Sequence, residues 1–392
     1  MFTPKWKKEA KHLYKGALKF LNYKRDLLAP EKIDAIEARR ADLLTAIKAG
    51  DKEGVAQADK ELTKACESSL PHYRRPNAWE ENIEVFFVAI VVALGIRAYY
   101  LQPFRIPTGS MQPSLNGIIA DSKAGDPDWK KPWLGSQVVD FALKGRRYYN
   151  QTADRDLTIV NIKDASFFLF TRTKLYFDDG STVTVGCPSG EATRIPTISQ
   201  AFIKDPTGRM RLRPGPHFRE GDPIFQGSLT SGDLVLVDKF SYNFRQPKRG
   251  ETFVFDTRGI QHIHEQARLS DQNAGSHYIK RLGGVPGDTL RIEAPNLYIN
   301  GELAKEYGFQ RVASGKDGYK GYTNSGNFKR PAHTFTLKEN EDQRYHEYFA
   351  LGDNSGNSSD SRYWGTAKQY NLVGPAFLSL WPITSGHWGY IE

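Results

Sequence analysis

LVLVDKF, residues 234–240, reads as a strand, and so do ETFVFDT at 251–257, YIKRL at 278–282 and TLRIEA at 289–294. Everything after Leu101 consists of such short alternating runs punctuated by Gly and Pro, which predicts a mainly β domain of sandwich or barrel type. LYIN and ELAKE around Gly301 are expected to form one hairpin. KLYFDDGSTVTV, residues 174–185, should form another, with Asp179 and Gly180 suiting a type I′ turn.

Upstream of this domain the pattern changes. The first eighty residues read as helical and soluble, beginning with the basic stretch Lys5–Arg25 and broken at Pro30. Ile33, Ile36, Leu43, Leu44 and Ile47 then fall at helical spacing, and Gly50 with Asp51 ends the run. A second helix is expected from about Lys52 to Leu70, giving an α-helical hairpin with charged outer faces, joined to the next apolar segment by the Pro71–Pro76 linker.

IEVFFVAIVVALGIRAYYL, residues 83–101, is the one membrane candidate. Its uninterrupted apolar core, Val85–Ile96, is short for the roughly 20 residues that cross about 30 Å of hydrocarbon. Glu84 and Arg97 can snorkel from the ends, and Trp79, Tyr99 and Tyr100 stand where interfacial aromatics belong, so the span becomes long enough. Basic residues before it, including Arg74 and Arg75, favour a cytoplasmic N-terminus. The expected organisation is a helical region at 1–80, a transmembrane helix at 83–101, and an extracytoplasmic β-rich domain at 102–392 with an insertion at about 119–230.

The chain of 392 residues carries a formal net charge of +9, dispersed rather than gathered beside stacking aromatics. That favours an anionic membrane surface over nucleic acid. Two cysteines, Cys66 and Cys187, exclude a disulfide scaffold and a thiolate-rich metal site. They read as small buried hydrophobes.

PFRIPTGSMQPSL, residues 103–115, comes directly after the apolar segment. Pro103, Pro107 and Pro113 exclude a helix, and Gly109 lets the backbone approach something closely. A serine so framed, Ser110, is a candidate nucleophile that needs a base. The nine histidines supply no persuasive one; His262 and His264 flank Ile263 without further ligands at metal spacing. Lys280, in YIKRLGGVPGD at 278–288, is the other candidate. A free lysine titrates near ~10.4, but desolvation lowers that by several units and frees the amine to take a proton. The competing reading leaves Lys280 pointing outward on an edge strand. In ALGDNSGNSSDSRYWG, residues 350–365, Asp353, Asn354, Asn357, Ser358, Asp360 and Arg362 crowd one turn-rich loop. Such a loop buttresses a site, with Asp360 and Arg362 pairing together or across it and Ser358 offering a hydroxyl to orient the lysine. It lacks the spacing and bidentate acid of a calcium loop.

Together, in this order and after this anchor, the three segments resemble bacterial type I signal peptidases, the Ser/Lys proteases that remove signal peptides from exported proteins. The resemblance covers 83–118, 231–301 and 347–376, including SGDLVLVDKF and KRGETFVF. It implies a signal-peptidase-like β-sheet or barrel catalytic domain, preceded by the single transmembrane helix and the helical hairpin. By the same resemblance Ser110 is the nucleophile, Lys280 the base, and Thr108 with the Ser110 N–H the oxyanion hole. Ser358 orients the lysine, Asp360 and Arg362 give structural support, and Phe104, Ile106, Leu115, Tyr278 and Ile279 line small pockets for Ala-x-Ala. It implies no cofactor or metal. The partners expected are signal-peptide-bearing preproteins, membrane lipid and the secretion machinery, not nucleic acid, at a bacterial cytoplasmic (inner) membrane crossed once.

Three features depart from that pattern: the long stretch between Ser110 and SGDLVLVDKF, the single span, and Ser355 with Gly356 where charged residues are common in the family. Two other readings remain. A Ser/Lys self-cleaving repressor-type protease would need a DNA-binding helix that 31–70 does not supply. A non-enzymatic envelope β-protein would leave Ser110 unreactive.

Overall fold

The computed structural model describes residues 4–70, 78–165, 171–205, 210–263, 265 and 277–391. Arg74 and Arg75, the Pro71–Pro76 linker and His264 lie outside the described residues. The chain divides into two compact units, Met1–Ile90 and Val91–Glu392.

The first unit contains helices α1 (Lys5–Lys24), α2 (Pro30–Ala49) and α3 (Lys52–Ser69). The helical run breaks just before Pro30, which opens α2, where its missing N–H has no helical partner to lose. Gly50, left-handed at φ 72°, closes α2, and the Asp51 side chain accepts the Glu53 N–H at 3.1 Å to cap α3. Ile36, Leu43 and Ile47 are buried with Val55 and Leu62 of α3. Ala10, Ala17 and Leu21 of α1 join that core, so a third helix packs on the expected pair. Helix α4 (Ala78–Tyr99) comes next. Its stretch Asn82–Tyr99 has a mean hydropathy of 1.8 and none of it is buried, which makes it long and apolar enough to cross a membrane. Leu101, expected at the end of the span, instead opens a strand, because Pro103 forbids further helix.

The second unit is built on an eight-stranded sheet in which neighbouring strands run antiparallel. Its order is Leu101–Arg105, Leu234–Asp238, Leu372–Trp381, Thr252–Asp256, His277–Gly284, Glu347–Leu351 and Ala367–Lys368, with Gly389–Tyr390 also on Leu372–Trp381. Thr252–Asp256 is buried along its whole length. Phe253 and Phe255 enter one core with Leu282, Tyr348, Ala350 and Trp364. Val254 enters another with Ile106, Met111, Val235 and Val237. Both faces of the strand are covered, which is why FVF shows no polar alternation.

A four-stranded sheet, Glu302–Leu303, Asn296–Ile299, Thr289–Glu293 and Thr334–Thr336, packs Leu290, Ile292 and Leu297 against Phe349 and Leu351 of the large sheet. ELAKE thus contributes two strand residues only. Asn300 and Gly301, at φ 53° and 85°, make the two-residue turn with both centres left-handed. The 174–185 hairpin forms differently: a turn closes from Gly180 N–H to Phe177 C=O, and of Asp179 and Gly180 only the glycine is left-handed, at φ 83°. The loop has one residue more than a type I′ turn accommodates, so Gly180 alone takes up the strand twist.

Residues 119–230 leave and return side by side, with Ile119 opposite Thr230. They enclose their own core, in which Leu175, Phe177, Val185, Cys187, Ile198 and Phe225 are buried. Burial pushes the Cys187 thiol up to about 12, so it is a hydrophobe here, as its sequence context suggested.

Phe349 is fully buried between the two sheets, with Phe335 and Phe328 at 5.2 and 5.7 Å between ring centroids. Phe349→Ala should lower unfolding stability by about 3–5 kcal/mol in denaturant titration; a loss under about 1 kcal/mol would show that the sheets do not depend on this contact.

Candidate active site

The strand Leu101–Arg105 pairs with Leu234–Asp238, Leu101 opposite Asp238 and Arg105 opposite Leu234. Beyond it, Gly109–Met111 forms a single 3-10 turn that buries Ser110. The turn is held from outside: Asn354 donates its backbone N–H to the Ser110 carbonyl at 3.0 Å and its Nδ2 to the Gly109 carbonyl at 3.0 Å.

Lys280 lies opposite Phe253 in His277–Gly284, a strand flanked on both sides by neighbours and so not an edge. Its side chain is 4% exposed. Nζ donates to Ser110 Oγ at 2.7 Å and to the Ile279 carbonyl at 3.1 Å. Burial in an apolar setting lowers its pKa to about 8, opposed by the carboxylates of Asp360 and Asp353 and assisted by the Arg362 guanidinium. The inward reading of Lys280 therefore describes the geometry.

The loop after Leu351 is tied down by two fully buried ion pairs. Arg281 donates Nε and Nη2 to the two carboxylate oxygens of Asp353, at 2.8 and 2.6 Å, and Nη1 to the Gly250 carbonyl at 2.7 Å. Gly308 permits this, since a Cβ there would stand 2.3 Å from Arg281 Nη1. Arg362 and Asp360 pair with each other, both contacts at 2.8 Å, and Asp360 Oδ2 also accepts the Gly352 N–H at 2.9 Å. Arg362 Nη1 further reaches Ser355 Oγ at 2.6 Å and Thr323 Oγ1 at 2.7 Å. The hydroxyl of Ser355 thus serves the arginine. Ser358 Oγ is buried without a hydrogen-bond partner among the described residues, so its expected contact with Lys280 is not made here. Gly352 separates it from the Ser110 turn: a Cβ there would lie 2.0 Å from Ser358 Oγ and 2.7 Å from the Ser110 carbonyl.

Ser110 and Lys280 open into a groove of about 680 Å³. Phe104, Ile106, Tyr278 and Ile279 line it, with Thr108 exposed on its rim. Leu115, also expected in a pocket, is instead 1% exposed in the core with Met111 and Val235, because the turn after Ser110 folds back to bond its N–H to the Met111 carbonyl. Sequence reasoning missed Arg281, which stood in the quoted YIKR, and the backbone clamp of Asn354. It also missed a second groove wall from Asp164, Thr171 and Pro188–Arg194. Nothing local marks residues whose role depends on a partner 72 positions away, as Arg281 is from Asp353.

A serine hydroxyl in hydrogen-bond contact with a buried lysine of lowered pKa has the geometry that lets an amine take the hydroxyl proton. Residues 225–381 match the family described as signal peptidase, peptidase S26. That span contains Lys280 and the 350–365 loop, while Ser110 precedes it. "Probable signal peptidase I-2" of Synechocystis sp. is 32% identical over 40% of this chain and 58% of its own length. "Signal peptidase I" of Leptolyngbya laminosa is 30% identical over 40% of this chain and 64% of its own. The chain thus spans less than two thirds of either relative. A crystal structure of a signal peptidase I from Enterococcus faecalis V583 aligns at 28% identity over 33% of this chain and 97% of that one, with a TM-score of 0.23.

Two measurements check the site without assuming an activity. Carbon-13 NMR of labelled lysines should find one that titrates at about 8; being charged below and neutral above that value, it should disappear in Lys280→Met. All lysines titrating near ~10.4 would mean a solvated amine. Asp353→Ala leaves Arg281 buried and uncompensated, and should cost about 3–5 kcal/mol of unfolding free energy.

Proposed function

We propose that this chain is a membrane-bound serine endopeptidase that removes N-terminal signal peptides from exported preproteins, cleaving after small residues in an Ala-x-Ala-like pattern. The observation that carries the reading is the 2.7 Å hydrogen bond between Ser110 Oγ and Nζ of a buried lysine whose pKa is lowered to about 8. Such an amine is a competent base near neutral pH.

Ser110 Oγ attacks the scissile carbonyl carbon as neutral Lys280 takes the hydroxyl proton. The Ser110 N–H and the Thr108 hydroxyl donate to the oxyanion, an interaction type worth a factor of ~10² to 10³ in rate per donor. The tetrahedral species collapses, the carbon–nitrogen bond breaks, and the Lys280 ammonium returns the proton to the departing amine. A water deprotonated by Lys280 then attacks the Ser110 ester, releasing the signal peptide with its new carboxylate and restoring the hydroxyl. Ser358, whose buried hydroxyl makes no hydrogen bond among the described residues in this structure, is the group we propose turns to the ammonium during the reaction, and the Asp360–Arg362 pair keeps its loop in place. Phe104, Ile106, Tyr278 and Ile279 receive the small side chains.

Helix α4 anchors the enzyme across the bacterial cytoplasmic membrane with residues 1–80 cytoplasmic and the β domain extracytoplasmic, near the substrate's own apolar segment. A soluble repressor-type protease gives no reason for the unburied apolar surface of α4.

Ser110→Ala and Lys280→Ala should each reduce preprotein cleavage by at least ~10³-fold while leaving circular dichroism and melting temperature nearly unchanged. In the wild type, kcat/KM should rise with pH through about 8 as Lys280 loses its proton. Normal processing by either variant would sink the assignment.

A further inference from the structure

An extended peptide presents successive side chains to opposite sides. When alternate residues enter the apolar floor at Phe104, Ile106 and Ile279, the residue between them turns to whatever faces that floor. Here something does face it: Asp164, Ser189, Glu191 and Arg194 line the same groove as Ser110 and Lys280, and all come from the 119–230 segment.

This wall is built rigidly. Asp164 accepts the Ser189 backbone N–H at 2.9 Å and its hydroxyl at 3.1 Å. Ala192, Ile195 and Ile198 are buried in the segment's own core. Arg194 donates to Glu191 at 3.1 Å and, through Nη2, to Asn357 Oδ1 at 3.3 Å, which ties the wall to the loop that clamps the Ser110 carbonyl. The Glu191 side chain is 17% exposed and that of Arg194 58%. Burial raises the Glu191 carboxyl, so it is already partly desolvated before any peptide binds. Covering these groups with an apolar side chain would strip water from them without replacement, whereas a charged or hydrogen-bonding side chain replaces it.

We propose that Ser189–Arg194 forms a subsite for the middle residue of the Ala-x-Ala pattern, taking cationic side chains through Glu191 and anionic ones through Arg194. The inference rests on the endopeptidase reading above and adds a specificity determinant that the 119–230 segment supplies.

The test uses the full chain in detergent micelles and signal-peptide substrates identical except for Ala-Lys-Ala, Ala-Gln-Ala or Ala-Glu-Ala before the scissile bond. The quantity read is the Lys-to-Glu ratio of kcat/KM within each protein, so a general loss of activity cancels. Glu191→Gln should lower that ratio and Arg194→Gln should raise it, each by about threefold or more for partly exposed charges. Opposite shifts support the subsite; an unmoved ratio in both variants, or shifts of the same sign, as indirect distortion would give, overturn it. Should one variant fail to fold, the sign of the other's shift decides. A wild type that cleaves none of the substrates defeats the endopeptidase reading and this one with it, whereas cleavage with unmoved ratios defeats only the subsite.

Discussion

An ammonium group inside an apolar strand is costly, and Lys280 carries one with no carboxylate among the hydrogen-bond partners of its Nζ. The nearest acidic groups do raise its pKa, but each is already engaged by a guanidinium, Asp360 by Arg362 and Asp353 by Arg281. Four charges thus close into two pairs around a lysine that is left with a hydroxyl and a carbonyl. Desolvation prevails over the residual field, which is what brings the amine to about 8 instead of leaving it fully charged.

The same two pairs determine where everything else sits. Buried ion pairs are not in themselves a large source of stability, since losing water offsets most of the attraction. Their effect here is positional. Lys280 and Arg281 are consecutive in a strand and so point to opposite faces. Pairing Arg281 with Asp353 on one side fixes the strand while Lys280 turns to Ser110 on the other. Asn354, next in the loop, then holds the carbonyl of Ser110 itself. Lys280 and the hydroxyl it contacts are therefore referenced to a single loop, and Gly352, with no room for a side chain, allows that loop to close.

Residues 119–230 show how a long excursion can be accommodated without disturbing this arrangement. Their exit and return strands pair with one another, and Leu175, Phe177, Ile198 and Phe225 bury among themselves. The large sheet does not have to supply that core. One contact with the loop at 350–365 is polar, from Arg194 to Asn357.

Local pattern carried much of this in the sequence. Strands at 234–240, 251–257, 278–282 and 289–294, the helical spacing of Ile36, Leu43 and Ile47, and the apolar segment before Pro103 all arise from the intrinsic behaviour of neighbouring residues. So did the suspicion attached to Ser110, Lys280 and the 350–365 loop. Tertiary structure decided the rest. Lys280 lies on an interior strand, opposite Phe253, and its amine is met by the Ser110 turn. Leu115 went to the core, Arg281 found Asp353, and a wall from a distant segment came to face the groove. Periodicity is a property of a few adjacent residues, whereas burial and ion pairing depend on which remote segment arrives, and that is written in no single stretch of chain.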